Sequence, residues 1–331
     1  MTVSCSRAEP PPGVTGAPKR PIVPPVEERI GQMSKERIGF VGLGLMGHGM
    51  ARNIVTKGFP LTVVGHRNRA PVESLVSHGA AEAKSARALA EASDIVMICV
   101  TGSPEVEAVI NGPDGLAAAG KPLLIVDSST SDPSVTMRLA TQLKEKDITL
   151  IDAPLSRTPK DAEEGTLDVM VGGGEADVAR AWPVIDCFAG RVVHTGPTGS
   201  GHTMKLLNNF VSLGYAALYS EALALGAKAG LTPKVFDAVI RGGRMDCPFY
   251  QTFAQYAVGR DPNAHRFAIR NAAKDLGYLA AFANATGMVN PLGAAVRNSF
   301  TAAVAAGQGE RYVPMLSDFV AAANGVSLEP K

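Results

Sequence analysis

The chain has 331 residues, and its 32 Lys and Arg against 31 Asp and Glu give a formal net charge of +1. Nucleic acids and anionic membrane surfaces are bound by clustered positive charge, so this balance argues against either as a partner. Hydrophobic residues make up 46% and charged residues 19% of the chain, which is enough apolar material for a folded core. At roughly 150 residues per domain, the length predicts about two domains.

Residues 1–35 differ from the rest because they hold seven of the 23 prolines. This segment has neither the apolar core of a signal peptide nor the Arg/Ser-rich pattern of a transit peptide. We predict a disordered, proline-rich tail over residues 1–35. Met33 stands just before the first predicted strand, and we expect it to be the natural start.

From residue 37 to about residue 195, short Val/Ile/Leu runs alternate with helical patterns. Strands are predicted over 38–41, 61–64, 94–100, 122–127 and 149–152, and helices over 46–57, 71–77 and 133–144. Near-continuous apolar strands separated by helices predict a parallel sheet with both faces covered.

After Gly196 the strand-like runs stop, and Ala-rich helical periodicity continues to about Asn324. Gly230, Pro233, Pro248, Pro291 and Pro314 interrupt it. The sequence therefore predicts an α/β fold with two successive domains and a tail. A Rossmann-type doubly wound sheet occupies 36–196, an all-helical domain entered through a long interdomain helix from near residue 198 occupies 197–325, and the tail is 326–331.

No run of 18 uninterrupted apolar residues occurs, so no membrane-spanning helix is predicted. The most apolar long segment, 206–229, is interrupted by polar residues and predicts a buried helix. The four cysteines (Cys5, Cys99, Cys187 and Cys247) are far apart and form no CxxC pair, so neither a disulfide framework nor a zinc site follows. We expect the thiols of a cytoplasmic protein, and the histidines show no metal-ligand spacing either.

The loop after the first predicted strand is glycine-rich and reads Gly42-Leu43-Gly44-Leu45-Met46-Gly47. Gly42 permits a tight turn, Gly44 lets the backbone approach a pyrophosphate, and Gly47 allows close helix–strand packing. The phosphates would then be held by the free N–H groups at the helix N-terminus. Because the loop follows a strand and opens a helix, it predicts dinucleotide binding more specifically than the glycine spacing alone.

The end of the second predicted strand indicates which dinucleotide is bound. An NAD site usually has an Asp or Glu about 20 residues after the glycines, bonded to the ribose 2′-OH. Here no carboxylate is present, and the segment reads Val64-Gly65-His66-Arg67-Asn68-Arg69. Arg67, with its neighbours, would hold a 2′-phosphate and favour NADP(H). NAD(H) stays possible if these arginines are solvated loop charges.

Two further strand ends, Val100-Thr101 and Ser129-Thr130, should open onto the same crevice. Their hydroxyl groups suit contacts with the nicotinamide ribose, although hydroxyls at such places also cap helices.

In the predicted interdomain helix, Lys205 and Asn209 are four residues apart and share a face. Because the neighbouring residues are apolar, Lys205 either reaches out to solvent or serves a site. Burial would lower its pKa and let it deliver a proton near neutral pH. The spacing alone leaves both interpretations open.

Four ordered motifs resemble those of the β-hydroxyacid dehydrogenase family, which includes 3-hydroxyisobutyrate dehydrogenase and tartronate semialdehyde reductase. They are GLGxMGxxMAxN at 42–53, DAPxS with GTLxxMVGG at 152–173, GxxxKLxNN at 201–209, and KDL at 274–276. The resemblance extends from residue 37 to about residue 324.

The resemblance implies an NAD(P)-dependent oxidoreductase that interconverts a small 3-hydroxy acid and its semialdehyde. Lys205 would be the general acid/base, Asn209 would bond Lys205 or the substrate oxygen, and Asn208 would assist. Lys274 would close the site near the cofactor, with Ser129 and Thr130 on the nicotinamide side. The helical domain would carry substrate contacts and form homodimers or homotetramers.

The predicted substrate loop departs from the family pattern. Family members usually have Ser-Gly-Gly, whose N–H groups hold the substrate carboxylate, whereas here Ser156 is followed by Arg157 and Thr158. The Arg-Thr step is similar to that of 3-sulfolactaldehyde reductases, where an Arg meets a sulfonate. Since Arg offers a fork of donors to an anion, we expect a small aldehyde acid with a carboxylate or sulfonate. Alternatively, Arg157 braces the loop by pairing with Asp161, Glu163 or Glu164.

Two other functions stay open at this point. One is an imine reductase-like enzyme, although those relatives usually replace the catalytic Lys. The other is a non-catalytic dinucleotide-binding protein, against which Lys205 and Asn209 argue.

Overall fold

The computed structural model describes residues Glu36–Glu329. The predicted proline-rich tail and the expected start at Met33 lie outside the described residues. Most of the predicted C-terminal tail is described, and there Leu328 is buried in the helical core with 3% of its surface exposed. The chain therefore continues to pack after the last helix.

Nine strands among the described residues form one sheet. They are β1 Ile38–Val41, β2 Leu61–Val64, β3 Ala81–Ala83, β4 Ile95–Ile98, β5 Leu123–Asp127, β6 Ile148–Asp152, β7 Leu155–Ser156, β8 Leu167–Gly172 and β9 Ala189–Gly196. The order is β3-β2-β1-β4-β5-β6-β8-β7, with β9 beside β8, and the first six strands are parallel. This confirms the predicted doubly wound arrangement, while the antiparallel pairing of β8 with β6 and β7 was not predicted.

Helices cover both faces of the sheet. They are α1 Gly47–Thr56, α2 Ala70–Ser77, α3 Ala86–Glu91, α4 Ser103–Asn111, α5 Pro133–Lys144, α6 Pro159–Glu164 and α7 Glu175–Ile185. Every residue of β1, β4 and β5 is buried, because successive side chains point to opposite faces and each face meets a hydrophobic layer. The order in which strands are added to the sheet reverses between β1 and β4, and this switch point places a crevice at their carboxyl ends.

The C-terminal part is helical. It contains α8 Ser200–Lys228, α9 Pro233–Ile240, α10 Pro248–Ala257, α11 Ile269–Thr286, α12 Pro291–Ala305 and α13 Leu316–Ala323. Three prolines that interrupt the sequence periodicity (Pro233, Pro248 and Pro291) are each the first residue of a helix. Proline fits there because its missing N–H would have had no helical partner.

The interdomain helix α8 packs one side against α11, α12 and α13. The sequence predicted it to be buried, but this is wrong for its other side, where Val211, Leu218 and Leu225 are 54%, 62% and 72% exposed. By length and composition it is the one helix of residues 36–329 that could cross a membrane, a test that core helices of soluble proteins also pass.

Candidate active site

The glycine loop between β1 and α1 has the geometry that its sequence predicts. Gly42 has φ 99°, a left-handed conformation that favours glycine. A Cβ on Gly47 would lie 1.9 Å from the carbonyl oxygen of Gly42, so the helix can approach the strand only if residue 47 is glycine. A Cβ on Gly44 would meet nothing within 4 Å, which leaves open space beside the backbone at the position expected to face a pyrophosphate.

The N-terminus of α1 suits a phosphate group. No side chain caps it and no acidic residue lies in its first turn, so its N–H groups and positive dipole end are available to an anion. In the same loop Leu45 is 59% exposed, Leu43 packs against the core and Met46 is half-buried. The loop can therefore accommodate a dinucleotide, with its backbone N–H groups holding the pyrophosphate.

After β2, the four polar residues have different roles. Arg69 forms a two-point ion pair with Glu82 of β3 at 2.6 and 2.8 Å, so it is committed within the protein and the suggestion that it assists a 2′-phosphate loses support. Asn68 accepts a hydrogen bond from the N–H of Ala70 at the start of α2. His66 and Arg67 are exposed, and in the described part of the chain Arg67 has no ion pair.

The loops after β4 and β5 are joined to each other and to α11. The N–H of Val100 donates to the Ser129 hydroxyl at 3.0 Å, and that side chain is buried. Lys274 of α11 donates to the carbonyl oxygens of Thr101 and Thr130, the latter at 3.3 Å. The structure thus brings these five predicted residues together, with the Ser129 hydroxyl acting as a link between loops.

Lys205 lies in the second turn of α8 and is half-buried. Burial lowers the pKa of its ammonium group from 10.5 to about 8, with Asp275 opposing this change and Lys274 adding to it. Across residues 36–329, no group hydrogen-bonds or ion-pairs with Lys205 Nζ. The Lys205 ammonium therefore keeps its hydrogen-bonding capacity available for another group.

One of the two roles predicted for Asn209 was a hydrogen bond to Lys205, and the structure does not show this bond. Asn209 is buried, and its side-chain amide donates to Asp275 Oδ2 at 2.8 Å. The other oxygen of this buried carboxylate, Oδ1, accepts no hydrogen bond, although Lys274 Nζ is 3.2 Å away. Asn209 therefore orients Asp275, a residue of the KDL motif for which the sequence analysis predicts no role.

The substrate loop is tied to α8 through Asn208, whose amide donates to the Ser156 hydroxyl at 3.3 Å. Thr158 caps α6, with its hydroxyl and N–H both bonded to Asp161 in a capping box. Its hydroxyl is thus occupied by the cap. The Asn208 contact joins the end of β7 to α8, and the cap fixes the short loop after β7 at the start of α6.

Arg157 adopts φ 89°, a conformation that L-residues other than glycine rarely take. Glycine is the residue expected here from the family pattern, so the side chain has been added to a backbone shape that suits glycine. Arg157 Nε lies 3.0 Å from Asp168 and Nη1 lies 3.7 Å from Asp161. The bracing interpretation is thus observed for Asp161, but Asp168 was not considered.

Sequence reasoning also missed a buried polar cluster where α8 begins. Asp152 accepts hydrogen bonds from the N–H groups of Gly199 and His202 at 2.6 and 2.7 Å. The His202 ring lies 3.8 Å from both Asp152 and Asp127, and its Nε2 is 3.2 Å from the Ser129 carbonyl oxygen. Burial raises the pKa of the Asp152 carboxyl. The sequence does contain one indication of this cluster, because Asp127 and Asp152 each end a buried strand.

His265 is a further residue for which the sequence analysis predicts no role. Burial, together with a smaller effect of the positive charge on Lys205, lowers the pKa of its imidazole to about 4. Its ring makes edge contacts with Phe249 and Phe267, at 5.6 and 6.3 Å between centroids. No spacing in the sequence connects His265 with Lys205, because they lie on separate segments.

Comparison with known proteins agrees with this arrangement. Residues 37–196 match the family described as the NAD binding domain of 6-phosphogluconate dehydrogenase. Residues 199–315 match the family described as the NAD-binding domain of NADP-dependent 3-hydroxyisobutyrate dehydrogenase.

Individual relatives extend the match over both parts. The chain is 38% identical over 272 residues to 3-hydroxyisobutyrate dehydrogenase of Pseudomonas aeruginosa, covering 80% of this chain and 91% of the relative. It is 38% identical over 211 residues to 2-hydroxy-3-oxopropionate reductase of Escherichia coli, covering 62% and 70%. The crystal structure of 3-hydroxyisobutyrate dehydrogenase from Salmonella typhimurium has a TM-score of 0.76 at 30% identity, covering 86% of this chain and 100% of that one. The chain therefore belongs to the β-hydroxyacid dehydrogenase family and is an NAD(P)-dependent oxidoreductase.

Proposed function

We propose that the protein interconverts a small semialdehyde bearing an anionic group and the corresponding 3-hydroxy acid, with Lys205 as the general acid/base. The observation that carries this proposal is the half-buried Lys205 ammonium, with a pKa of about 8 and no bonded partner among the described residues. When bound, the nicotinamide cofactor supplies or accepts the hydride.

Lys205 handles the proton that accompanies hydride transfer. In reduction, its Nζ donates a proton to the carbonyl oxygen as that oxygen becomes a hydroxyl. In oxidation, the neutral amine accepts the hydroxyl proton. With a pKa of about 8, about nine tenths of the lysine is protonated at pH 7, which favours reduction. Asp275, held by Asn209, stabilises the protonated form.

The anionic group of the substrate is assigned to the loop after β7. Ser156 and Asn208 offer neutral donors there, and Arg157 is 48% exposed at its side chain, so it remains accessible to an anion. Binding would exchange some of its contact with Asp168 and Asp161 for contact with the substrate. This supports a carboxylate or sulfonate substrate, of the 2-hydroxy-3-oxopropionate or sulfolactaldehyde type.

NADP(H) is the proposed cofactor. Arg67 is the exposed cation after β2 that has no partner in the described chain, and no carboxylate precedes it in the loop to repel a 2′-phosphate. His66 and Asn68 flank it. Thr101, Thr130 and Lys274 would lie at the nicotinamide end.

The proposal is tested by Lys205→Met, which keeps a flexible apolar side chain and removes the proton donor. We expect kcat with the best of tartronate, succinate, methylmalonate and sulfolactate semialdehydes to fall by at least about 100-fold. The affinity for NADPH, measured by calorimetry, should stay within about twofold. Lys228→Met, at the other end of the same helix, is the control. Turnover by Lys205→Met at the wild-type rate would refute the role of Lys205.

The exposed side of α8 supports a homodimer as the smallest assembly. Met204, Val211, Leu218 and Leu225 recur every seven residues and form an apolar row, here called the α8 stripe. Rows of this kind pack against a second helix, and a two-fold axis lets the same row on two copies pair with itself. A second copy of this chain is the proposed partner.

Light scattering after size exclusion tests the assembly. Leu218→Glu should convert the species to monomer, because it places a charge in the middle of the α8 stripe. Val76→Glu, at an exposed apolar position of α2, should leave the mass unchanged. A monomeric wild type, or a dimer that survives Leu218→Glu, would contradict this interface.

A further inference from the structure

The helix α8 begins in direct contact with the sheet. Gly199, its N-cap residue, has no side chain that could cap the helix, and Asp152 at the end of β6 accepts the N–H groups of Gly199 and His202 instead. A carboxylate at this place satisfies helical N–H groups and lies at the positive end of the helix dipole. A Cβ on Gly201 would lie 2.5 Å from the Met170 carbonyl oxygen, so the first turn has no room to move towards β8. The start of α8 is therefore fixed against β6 and β8.

The His202 ring extends from this first turn to the loop after β5, here called the β5 loop (residues 128–132). The ring is completely buried, with Nε2 3.2 Å from the Ser129 carbonyl oxygen and Nδ1 2.8 Å from the Thr136 hydroxyl of α5. Because a carbonyl oxygen only accepts hydrogen bonds, Nε2 carries a proton and donates it to Ser129. The ring thus joins α8, the β5 loop and α5.

The β5 loop is held rigidly on its other sides. Asp127 accepts the N–H of Ser129 at 2.9 Å and the hydroxyl of Ser131 at 3.1 Å. Both Asp127 and Ser129 are buried, so these bonds are shielded from water. A movement of the loop would therefore be passed to the His202 ring instead of being absorbed within the loop.

The β5 loop belongs to the half of the sheet that is expected to receive the nicotinamide end of the cofactor. In a doubly wound sheet each half takes one mononucleotide, and the pyrophosphate lies at the glycine loop after β1. The β5 loop is at the carboxyl end of the other half, where it is bonded to the loop after β4 and to Lys274. Its position therefore determines where the nicotinamide can lie.

Lys205 follows His202 by three residues, so the two side chains are neighbours one turn apart on α8. In the proposed reaction the hydride reaches the carbonyl carbon and the Lys205 proton reaches the oxygen of the same group. The two donors must therefore be held at a fixed distance, and a misplacement of about 1 Å can cost about 100-fold in rate. The His202 ring is a direct link between the element that carries Lys205 and the loop on the nicotinamide side.

We propose that His202 is a positioning residue that couples the β5 loop to the first turn of α8, so that cofactor binding at the loop also orders the helix that carries Lys205. The link between this coupling and the rate rests on the proposed function. The coupling itself rests on the two hydrogen bonds of the buried ring.

Two substitutions separate the two ends of the ring. The side-chain amide of His202→Gln reaches about as far as Nε2 and can still donate to Ser129, whereas that of His202→Asn reaches only about as far as Nδ1 and leaves the Ser129 carbonyl unpaired. His202→Met fills the space without a polar group and is the second disruptive variant. His194→Asn is the matched control, since it removes a ring bond to the Gly173 carbonyl oxygen at an exposed position of β9.

Hydrogen–deuterium exchange measures the coupling without turnover, using saturating NADPH or NADH, whichever binds more tightly. In wild type the cofactor should slow exchange at least about fivefold in peptides covering 128–132 and in peptides covering 199–206. In His202→Asn and His202→Met the first protection should remain and the second should fall below about twofold, while His202→Gln and His194→Asn keep both. A purely structural role would instead speed exchange by the same factor with and without cofactor.

Stopped-flow single turnovers with the best semialdehyde measure the rate constant of hydride transfer from bound cofactor. This rate constant should fall at least about 30-fold in His202→Asn and His202→Met, and stay within about threefold of wild type in His202→Gln and His194→Asn. The Kd of the cofactor should stay within about threefold in all four variants. A loss of folded protein would lower the amplitude of the transient and leave its rate constant unchanged.

Several results would overturn the role of His202. They are a wild type in which the cofactor does not protect 199–206, protection of 199–206 that persists in both disruptive variants, and a hydride-transfer rate constant that these variants leave unchanged. Failure of both disruptive variants to fold would show that His202 is only structural. If the wild type reduces none of the semialdehydes, the proposed function fails, and the exchange experiment still decides whether His202 couples the β5 loop to α8.

Discussion

The proton-transfer role of Lys205 predicts how activity changes when its buried neighbour Asp275 loses its charge. Asp275→Asn is nearly isosteric and keeps an oxygen that can accept the amide hydrogen of Asn209. Because Asp275 raises the pKa of Lys205 against the effect of burial, its replacement should move that pKa from about 8 to a lower value. The expected change is therefore in the pH dependence of the reaction.

The magnitude follows from the charge that is removed. A nearby opposite charge commonly moves a pKa by about 1 to 3. If the pKa of Lys205 falls from about 8 to about 7, its protonated fraction at pH 8 falls from about one half to about one tenth. Reductive kcat/KM should then fall about fivefold at pH 8 and change little at pH 6, where Lys205 is mostly protonated in both proteins.

The assay is reductive kcat/KM from pH 6 to 9.5 with NADPH and the best semialdehyde. Wild type should lose activity as pH rises through about 8, since reduction needs the protonated lysine, and oxidation should gain activity over the same range. Glu107→Gln, which removes a surface carboxylate paired with Arg138, is the control. A descending limb that stays in place or moves to higher pH in Asp275→Asn would refute the reasoning.

Two further predictions concern the ends of the cleft. Arg67→Ala should raise KM for NADPH at least about tenfold, since a charge-assisted bond to the 2′-phosphate is lost, and should leave KM for NADH within about twofold; equal changes with both cofactors would contradict this contact. Arg157→Gly should leave the free energy of unfolding within about 1 kcal/mol of wild type. Glycine relieves the φ 89° conformation, which stabilises the folded protein by about 1–2 kcal/mol. This gain offsets the loss of the exposed ion pairs and the greater freedom of glycine in the unfolded chain. Arg157→Gly should raise KM for the anionic aldehyde at least about fivefold, measured with urea unfolding alongside kinetics. A stability loss above about 2 kcal/mol with unchanged KM would show that Arg157 only braces the loop.

Much of the fold could be predicted because local periodicity and backbone chemistry determine it. The buried strands β1, β4 and β5 are near-continuous apolar runs, and α5 begins and ends at the predicted residues. β9 was missed, since it pairs with β8 but has all of its residues exposed or half-buried, so it lacks the apolar run of a buried strand. The exposed side of α8 was also missed, because composition alone does not show which side of an apolar helix is covered.

The candidate site could likewise be predicted where it depends on neighbouring residues, but not where it depends on distant ones. Spacing placed Lys205 and Asn209 on one helical face, and the glycine loop on a strand-to-helix turn. The partner of Asn209, however, is 66 residues away at Asp275.

The amino-acid sequence by itself determined where the chain turns, which segments are helices or buried strands, and which residue types stand ready for a dinucleotide and a proton transfer. These follow from interactions among residues a few positions apart. Only the tertiary structure decided that Arg69 is bound to Glu82, that Arg157 pairs with Asp168, and that Asn209 is bound to Asp275. Burial and electrostatic contacts between distant segments set those outcomes, and they exist only once the helices and the sheet have packed.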